Sequence, residues 1–184
     1  LLLTNEDNAP DRQLLMIDPL DFSPLQTLVP PREGCAIVSL HPFARALLRI
    51  ERHSCELRLV LRRPEGSETI VEFPEPAYMI EVLPQQHYEA DKVRMVVQSP
   101  AVPRKWLDLC LETGEVSFVA QEDLPVFDAS DYIVERLWAE AEDGETIPIT
   151  LFSRRDAGDA ALPLLLTGYG AYGISIDPGF SPTR

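Results

Sequence analysis

Cys55-Glu56-Leu57-Arg58-Leu59-Val60-Leu61-Arg62 puts Leu57, Leu59 and Leu61 on one face of an extended chain, the period-two pattern of a half-buried β-strand. Trp106-Leu107-Asp108-Leu109-Cys110-Leu111 repeats it through Leu107, Leu109 and Leu111. Each run belongs to a set of four. Ala36 to Leu40, Ala46 to Glu51, Cys55 to Arg62 and Thr69 to Phe73 make one set. Tyr78 to Val82, Lys92 to Gln98, Lys105 to Leu111 and Val116 to Gln121 make the other. The glycines that turn the third strand of each set into the fourth, Gly66 and Gly114, are 48 residues apart. Four strands in about 40 to 50 residues is the period of a propeller blade, a small sheet that buries its faces against its neighbours. Upstream, Leu1 to Thr4, Gln13 to Ile17 and Gln26 to Leu28 read as the last three strands of a further blade. A generic antiparallel sandwich fits the same periodicity. Prolines, 17 among 184 residues, fall between the runs and argue against long helices.

Composition narrows the function classes. With 45% hydrophobic and 25% charged residues the chain can bury a core. It has no run of about 18 apolar residues, so no transmembrane helix is expected and the protein reads as soluble. Sixteen Lys and Arg against 30 Asp and Glu give a net charge of -14. Such a charge repels phosphate backbones and anionic lipid heads, so no nucleic acid and no membrane surface is expected as partner; basic peptides suit it. Cys35, Cys55 and Cys110 form no C-x-x-C, and His41, His53 and His87 are scattered, so neither a disulfide framework, a metal site nor a cofactor is expected. A reducing cytoplasm is the simplest compartment. The start at Leu1, without Met, a basic flank or a cleavage site, reads as a cut inside a longer protein.

The texture changes after Asp123. Residues 124–131 read as a connector between a blade region, 1–123, and a second domain, 132–184. Tyr132 to Ala141 and Thr146 to Phe152 flank the hairpin signal Asp143-Gly144. Ser153 to Ala160 reads as a solvated loop. Leu162-Pro163-Leu164-Leu165-Leu166, apolar on both faces and followed by glycines, is expected as a buried central strand of an α/β sheet.

Leu165 to Ser181, with its Tyr169-Gly170-Ala171-Tyr172-Gly173-Ile174-Ser175-Ile176-Asp177 core, resembles the segment that opens the catalytic domain of the prolyl oligopeptidase family, in the form of its oligopeptidase B branch. Val134-Glu135-Arg136-Leu137-Trp138-Ala139 and the stretch from Glu142 to Ile149 are similar to that branch's return from propeller to hydrolase, and Leu28-Val29-Pro30-Pro31-Arg32-Glu33 to one of its propeller turns. The resemblance implies a mainly β chain: the last two to three blades of a seven-bladed propeller, followed by the first strands of an α/β-hydrolase domain. It implies a cytoplasmic serine peptidase that cleaves short peptides after Lys or Arg with a Ser/Asp/His triad, its propeller admitting only small substrates.

No part of that triad falls within these residues. The family's nucleophile sits in a G-x-S-x-G elbow. Gly173-Ile174-Ser175-Ile176-Asp177 ends in Asp177 instead of Gly, and Ser175 is not read as a nucleophile. The resemblance assigns Tyr169 as a hydroxyl donor to the oxyanion, where a preorganised neutral donor meets developing negative charge. It assigns Tyr172, less directly, to the substrate's side-chain pocket. The resemblance implies a fragment inactive by itself and prone to self-association through unpaired strand edges. The alternative is a non-catalytic propeller-type interaction module for basic partners.

Overall fold

The computed structural model describes residues 1–84, 87–158 and 162–182. Its elements are strands throughout apart from two single-turn 3-10 helices. A three-stranded antiparallel sheet comes first: β1 (Leu2–Thr4), β2 (Gln13–Ile17) and β3 (Pro24–Val29), in that order. A four-stranded meander follows, of β4 (Cys35–Pro42), β5 (Leu47–His53), β6 (Glu56–Arg62) and β7 (Glu68–Val71). A second is made of β8 (Met79–Val82), β9 (Lys92–Ser99), β10 (Val102–Cys110) and β11 (Val116–Gln121). A hairpin of β12 (Tyr132–Glu140) and β13 (Thr146–Arg154) closes the series. Both expected strand sets and the three-stranded remnant are present, with boundaries that differ by at most three residues. By contact the chain divides into two units, one holding β1–β7 and the other β8–β13.

Turn chemistry explains the meanders. Gly66 and Gly114 have φ of +97° and +78°, values that L side chains rarely adopt. The hairpin between β5 and β6 is tighter: His53 pairs with Glu56, so its two central residues are Ser54 and Cys55, at φ +48° and +63°. Positive φ at both positions is the type I′ geometry that matches the twist of the flanking strands. Cys55 therefore belongs to the turn and not to the strand.

In the first unit Leu14, Val29, Ile37 and Leu47 are buried together, with Leu3, Leu28 and Leu40 packed against them. This core draws on strands of both its sheets and stabilises by about 1.5 to 3 kcal/mol for each fully buried side chain. In the second unit Val93, Met95 and Val97 alternate along β9, buried beside Ile80 and Val82 of β8 and Leu109 of β10.

The expected strand at Leu162–Leu166 is absent. Those residues have no regular structure, and Leu164, Leu165 and Leu166 are 77 to 79% exposed. A central parallel strand exists only when neighbours hydrogen-bond both its edges. Among the described residues no strand lies beside it. The loop expected over Ser153–Ala160 begins later, because β13 runs to Arg154 and a 3-10 turn occupies Arg155–Ala157; Asp159 and Ala160 lie outside the described residues. No helix among the described residues is long and apolar enough to cross a membrane.

Candidate functional site

The glycine-rich stretch that carries the candidate site is exposed as far as Ile176. Tyr169 is 51% exposed between Gly168 and Gly170, at both of which a Cβ would meet nothing within 4 Å. Those glycines leave the backbone open; no described neighbour crowds them. Tyr172 is 91% exposed and has φ of +58°, followed by Gly173 at +64°. The Ile174 N–H donates to the Ala171 carbonyl at 3.1 Å, which closes a tight turn with Tyr172 and Gly173 at its centre. A bulky residue in the left-handed region costs about 1 to 2 kcal/mol, and such strain collects at functional positions. Both tyrosines thus lie on one open segment, and Ser175 follows them in an exposed position.

Beyond Ile176 the chain changes character. Residues 177–181 are half-buried. The Gly179 N–H donates to the Asp177 carbonyl at 2.9 Å, a three-residue turn. The next amide, that of Phe180, donates to the Gln98 Oε1 at 3.2 Å. Gln98 sits on β9 opposite Met79 of β8, and its Nε2 lies 3.5 Å from the Met79 sulfur. The Phe180 ring meets Phe127 edge to face, centroids 5.0 Å apart. Phe127 stacks on Tyr132 at 5.1 Å, and Tyr132 on Phe152 at 4.9 Å. Connector, hairpin and glycine-rich segment therefore share one aromatic column.

A separate feature of the first unit is a buried ionic network. Arg49 and Glu51 alternate with Leu48 and Ile50 on β5, and both are fully buried. Glu51 accepts from Arg49 Nε at 2.6 Å, from Arg58 Nε at 2.8 Å and from Arg32. Arg49 also grips Glu68 with both terminal nitrogens, at 2.8 and 2.6 Å. Arg58 further donates to the Cys35 sulfur at 3.3 Å. Burial would raise the Glu51 carboxyl, but the bonds and charges of Arg49, Arg58 and Arg32 outweigh it and hold it below the usual carboxylate range. Glu68 is held low in the same way by Arg49 and Arg62. Burial, then the Glu51 charge, pushes the Cys35 thiol up. On β4 burial pushes His41 down, and its Nε2 lies within hydrogen-bond distance of the Ser39 hydroxyl, 3.0 Å away.

Sequence reasoning missed both the network and the contact of Phe180 with Gln98. Leu47-Leu48-Arg49-Ile50-Glu51 carried a signal of the first, since two opposite charges at period two inside an apolar strand need a counter-charged strand beside them. Nothing in the sequence joins Gln98 to Phe180, 82 residues apart.

The model of a family described as prolyl oligopeptidase, N-terminal β-propeller domain, matches residues 1–122. Dipeptidyl aminopeptidase BI of Pseudoxanthomonas mexicana is 37% identical over 136 residues, 73% of this chain and 19% of its own length. Protease 2 of Moraxella lacunata is 32% identical over 188 residues, 100% of this chain and 27% of its own. The solved structure of oligopeptidase B from Leishmania major superposes with a TM-score of 0.86 at 29% identity, covering 97% of this chain and 27% of that one. The chain thus spans about a fifth to a quarter of the length of these relatives.

Proposed function

Because the chain belongs to the prolyl oligopeptidase family, we propose that it is the propeller-to-hydrolase passage of a serine oligopeptidase that cleaves short peptides after Lys or Arg in the cytoplasm. Residues 1–123 are then its last propeller blades, 124–131 the connector and 132–184 the opening of the peptidase domain. The observation that carries this reading is the extent of the likeness to oligopeptidase B. It covers 97% of the chain and so passes beyond the propeller match, which ends at residue 122, into the glycine-rich segment.

In this reading the propeller limits access by size, and the Tyr169 hydroxyl completes an oxyanion hole. Attack on a peptide carbonyl places negative charge on its oxygen. A neutral donor already aimed there stabilises that charge without reorganising. Tyr172, lifted into solvent by its left-handed turn, presents its ring toward the substrate side chain. The basic residue preferred after cleavage suits a chain of net charge -14. The triad lies in the parent protein outside these residues, so the 184-residue chain alone hydrolyses nothing above background.

The relative that is 37% identical is named for removing dipeptides, so specificity is the point to test. In the complete peptidase, Tyr169→Phe lowers kcat by about 100- to 1000-fold with KM little changed, the loss expected for one oxyanion donor. Tyr172→Phe, which keeps the ring, costs far less. An unchanged kcat for Tyr169→Phe removes the assignment. Cleavage confined to dipeptides at free N-termini replaces the Lys/Arg specificity.

A further inference from the structure

The stretch that bears Tyr169 and Tyr172 is exposed from Leu162 to Ile176, yet the chain is tied down on either side of it. Before it, the Arg155 Nε donates to the Ser130 carbonyl at 3.0 Å and a terminal nitrogen of the same guanidinium to the Tyr132 carbonyl at 3.2 Å, which fixes the 3-10 turn Arg155–Ala157 onto the connector. After it, the Phe180 amide is held by Gln98 and the Phe180 ring by Phe127. The second tie is the unusual one, because its acceptor belongs to a blade sheet and not to the segment's own neighbourhood in sequence. We propose that Gln98 is a positioning residue: acting through Phe180, it fixes the downstream end of the Tyr169–Tyr172 segment to the last blade sheet, so that the propeller sets where the oxyanion donor stands.

Three features fit Gln98 for this. Its position opposite Met79 in the β8–β9 register gives it a base in the sheet, with β10 pairing the residues on either side of it, Val97 and Ser99. Its amide is used at both ends, the oxygen taking the Phe180 N–H and the nitrogen resting on the Met79 sulfur. Gly179 lies against the same pair, where a Cβ would stand 3.5 Å from the Met79 sulfur and 3.6 Å from the Gln98 Cδ. The chain thus meets the sheet over both Gly179 and Phe180. A loop fixed at two ends samples far fewer placements than one fixed at a single end, and catalysis by a preorganised donor depends on that restriction.

This inference rests on the peptidase reading, and its test separates the two. In the complete protein, hydrogen exchange at the Phe180 amide speeds up by about tenfold in Gln98→Ala, the opening expected when its hydrogen bond is lost. Gln98→Glu, which keeps the acceptor, preserves the protection. In the complete peptidase Gln98→Ala lowers kcat by roughly three- to tenfold with KM within twofold, the mark of a misplaced transition-state donor. Gln98→Glu recovers most of that loss, which a general weakening of the fold would not allow. Unaltered exchange at Phe180, or an unaltered kcat, overturns the proposal. A complete protein that hydrolyses no peptide of any kind overturns the peptidase reading and the catalytic part of this one, while the exchange measurement still decides whether the tie exists.

Discussion

Replacing Glu51 by Gln keeps the size and shape of the side chain and removes one charge from the centre of a network that holds three guanidinium groups, those of Arg49, Arg58 and Arg32, against it. Arg49 is fully buried and would retain only Glu68 as counter-charge; Arg58 and Arg32 would lose theirs. Breaking a buried pair by removing one partner costs about 3 to 5 kcal/mol, because the charge left behind cannot return to water. For a chain of this length each kcal/mol moves the midpoint by about 2 to 4 °C, so Tm falls by roughly 6 to 20 °C. Thermal and urea unfolding followed by circular dichroism at pH 7 measures the difference. The pH dependence supplies an internal check. The Glu51 carboxyl is held low in the folded chain, so its contribution is fully present above the unfolded value of about 4.3 and is lost as pH falls through the lower folded value. The gap between wild type and Glu51→Gln therefore closes in strong acid. A destabilisation below about 1 kcal/mol at pH 7, the range of an exposed pair, refutes the reasoning, as does a gap that persists undiminished in strong acid.

Burial pushes His41 below the ordinary imidazole value in the folded chain, so the stability that goes with its neutral form is present above about 6.5 and is lost as pH falls through the lower folded value. Urea unfolding at pH 7.5 and pH 5 should show wild type losing more stability over that interval than His41→Gln; equal losses count against the neutral imidazole. The exposed leucines from Leu164 to Leu166 and the edge of β1 should drive self-association of the isolated chain, more so as salt screens the charge of -14. Sedimentation at low salt and at about 0.15 M decides it, and a monomer at both concentrations rejects the idea.

Period-two apolar residues made the blades legible, because Leu57, Leu59 and Leu61 of β6 and Val93, Met95 and Val97 of β9 are all buried, whereas β5 is buried on both faces from Leu47 to Glu51. Gly66, Gly114 and Gly144 marked turns for a reason that the backbone repeats, a positive φ at each. Leu162–Leu166 misled for the complementary reason: an apolar run states what a segment could bury but not whether sheet partners stand beside it. Tyr169 and Tyr172 were legible only through the resemblance that the surrounding glycines carry. Gln98 was invisible, since a polar residue at a strand end looks the same in sequence whether it faces water or receives an amide from 82 residues away.

The three thiols of the chain sit at different depths. Cys55 is exposed at the tip of the type I′ turn, Cys110 is half-buried, and Cys35 is buried with its sulfur facing Arg58 and its ionisation suppressed. Thiolates, not thiols, react with alkylating reagents, so the molecule carries its own chemical clock. Cys55 reports the folded surface at once. Cys35, paired across β4 and β5 with His53, reports only the moments when that sheet parts and the arginines let go.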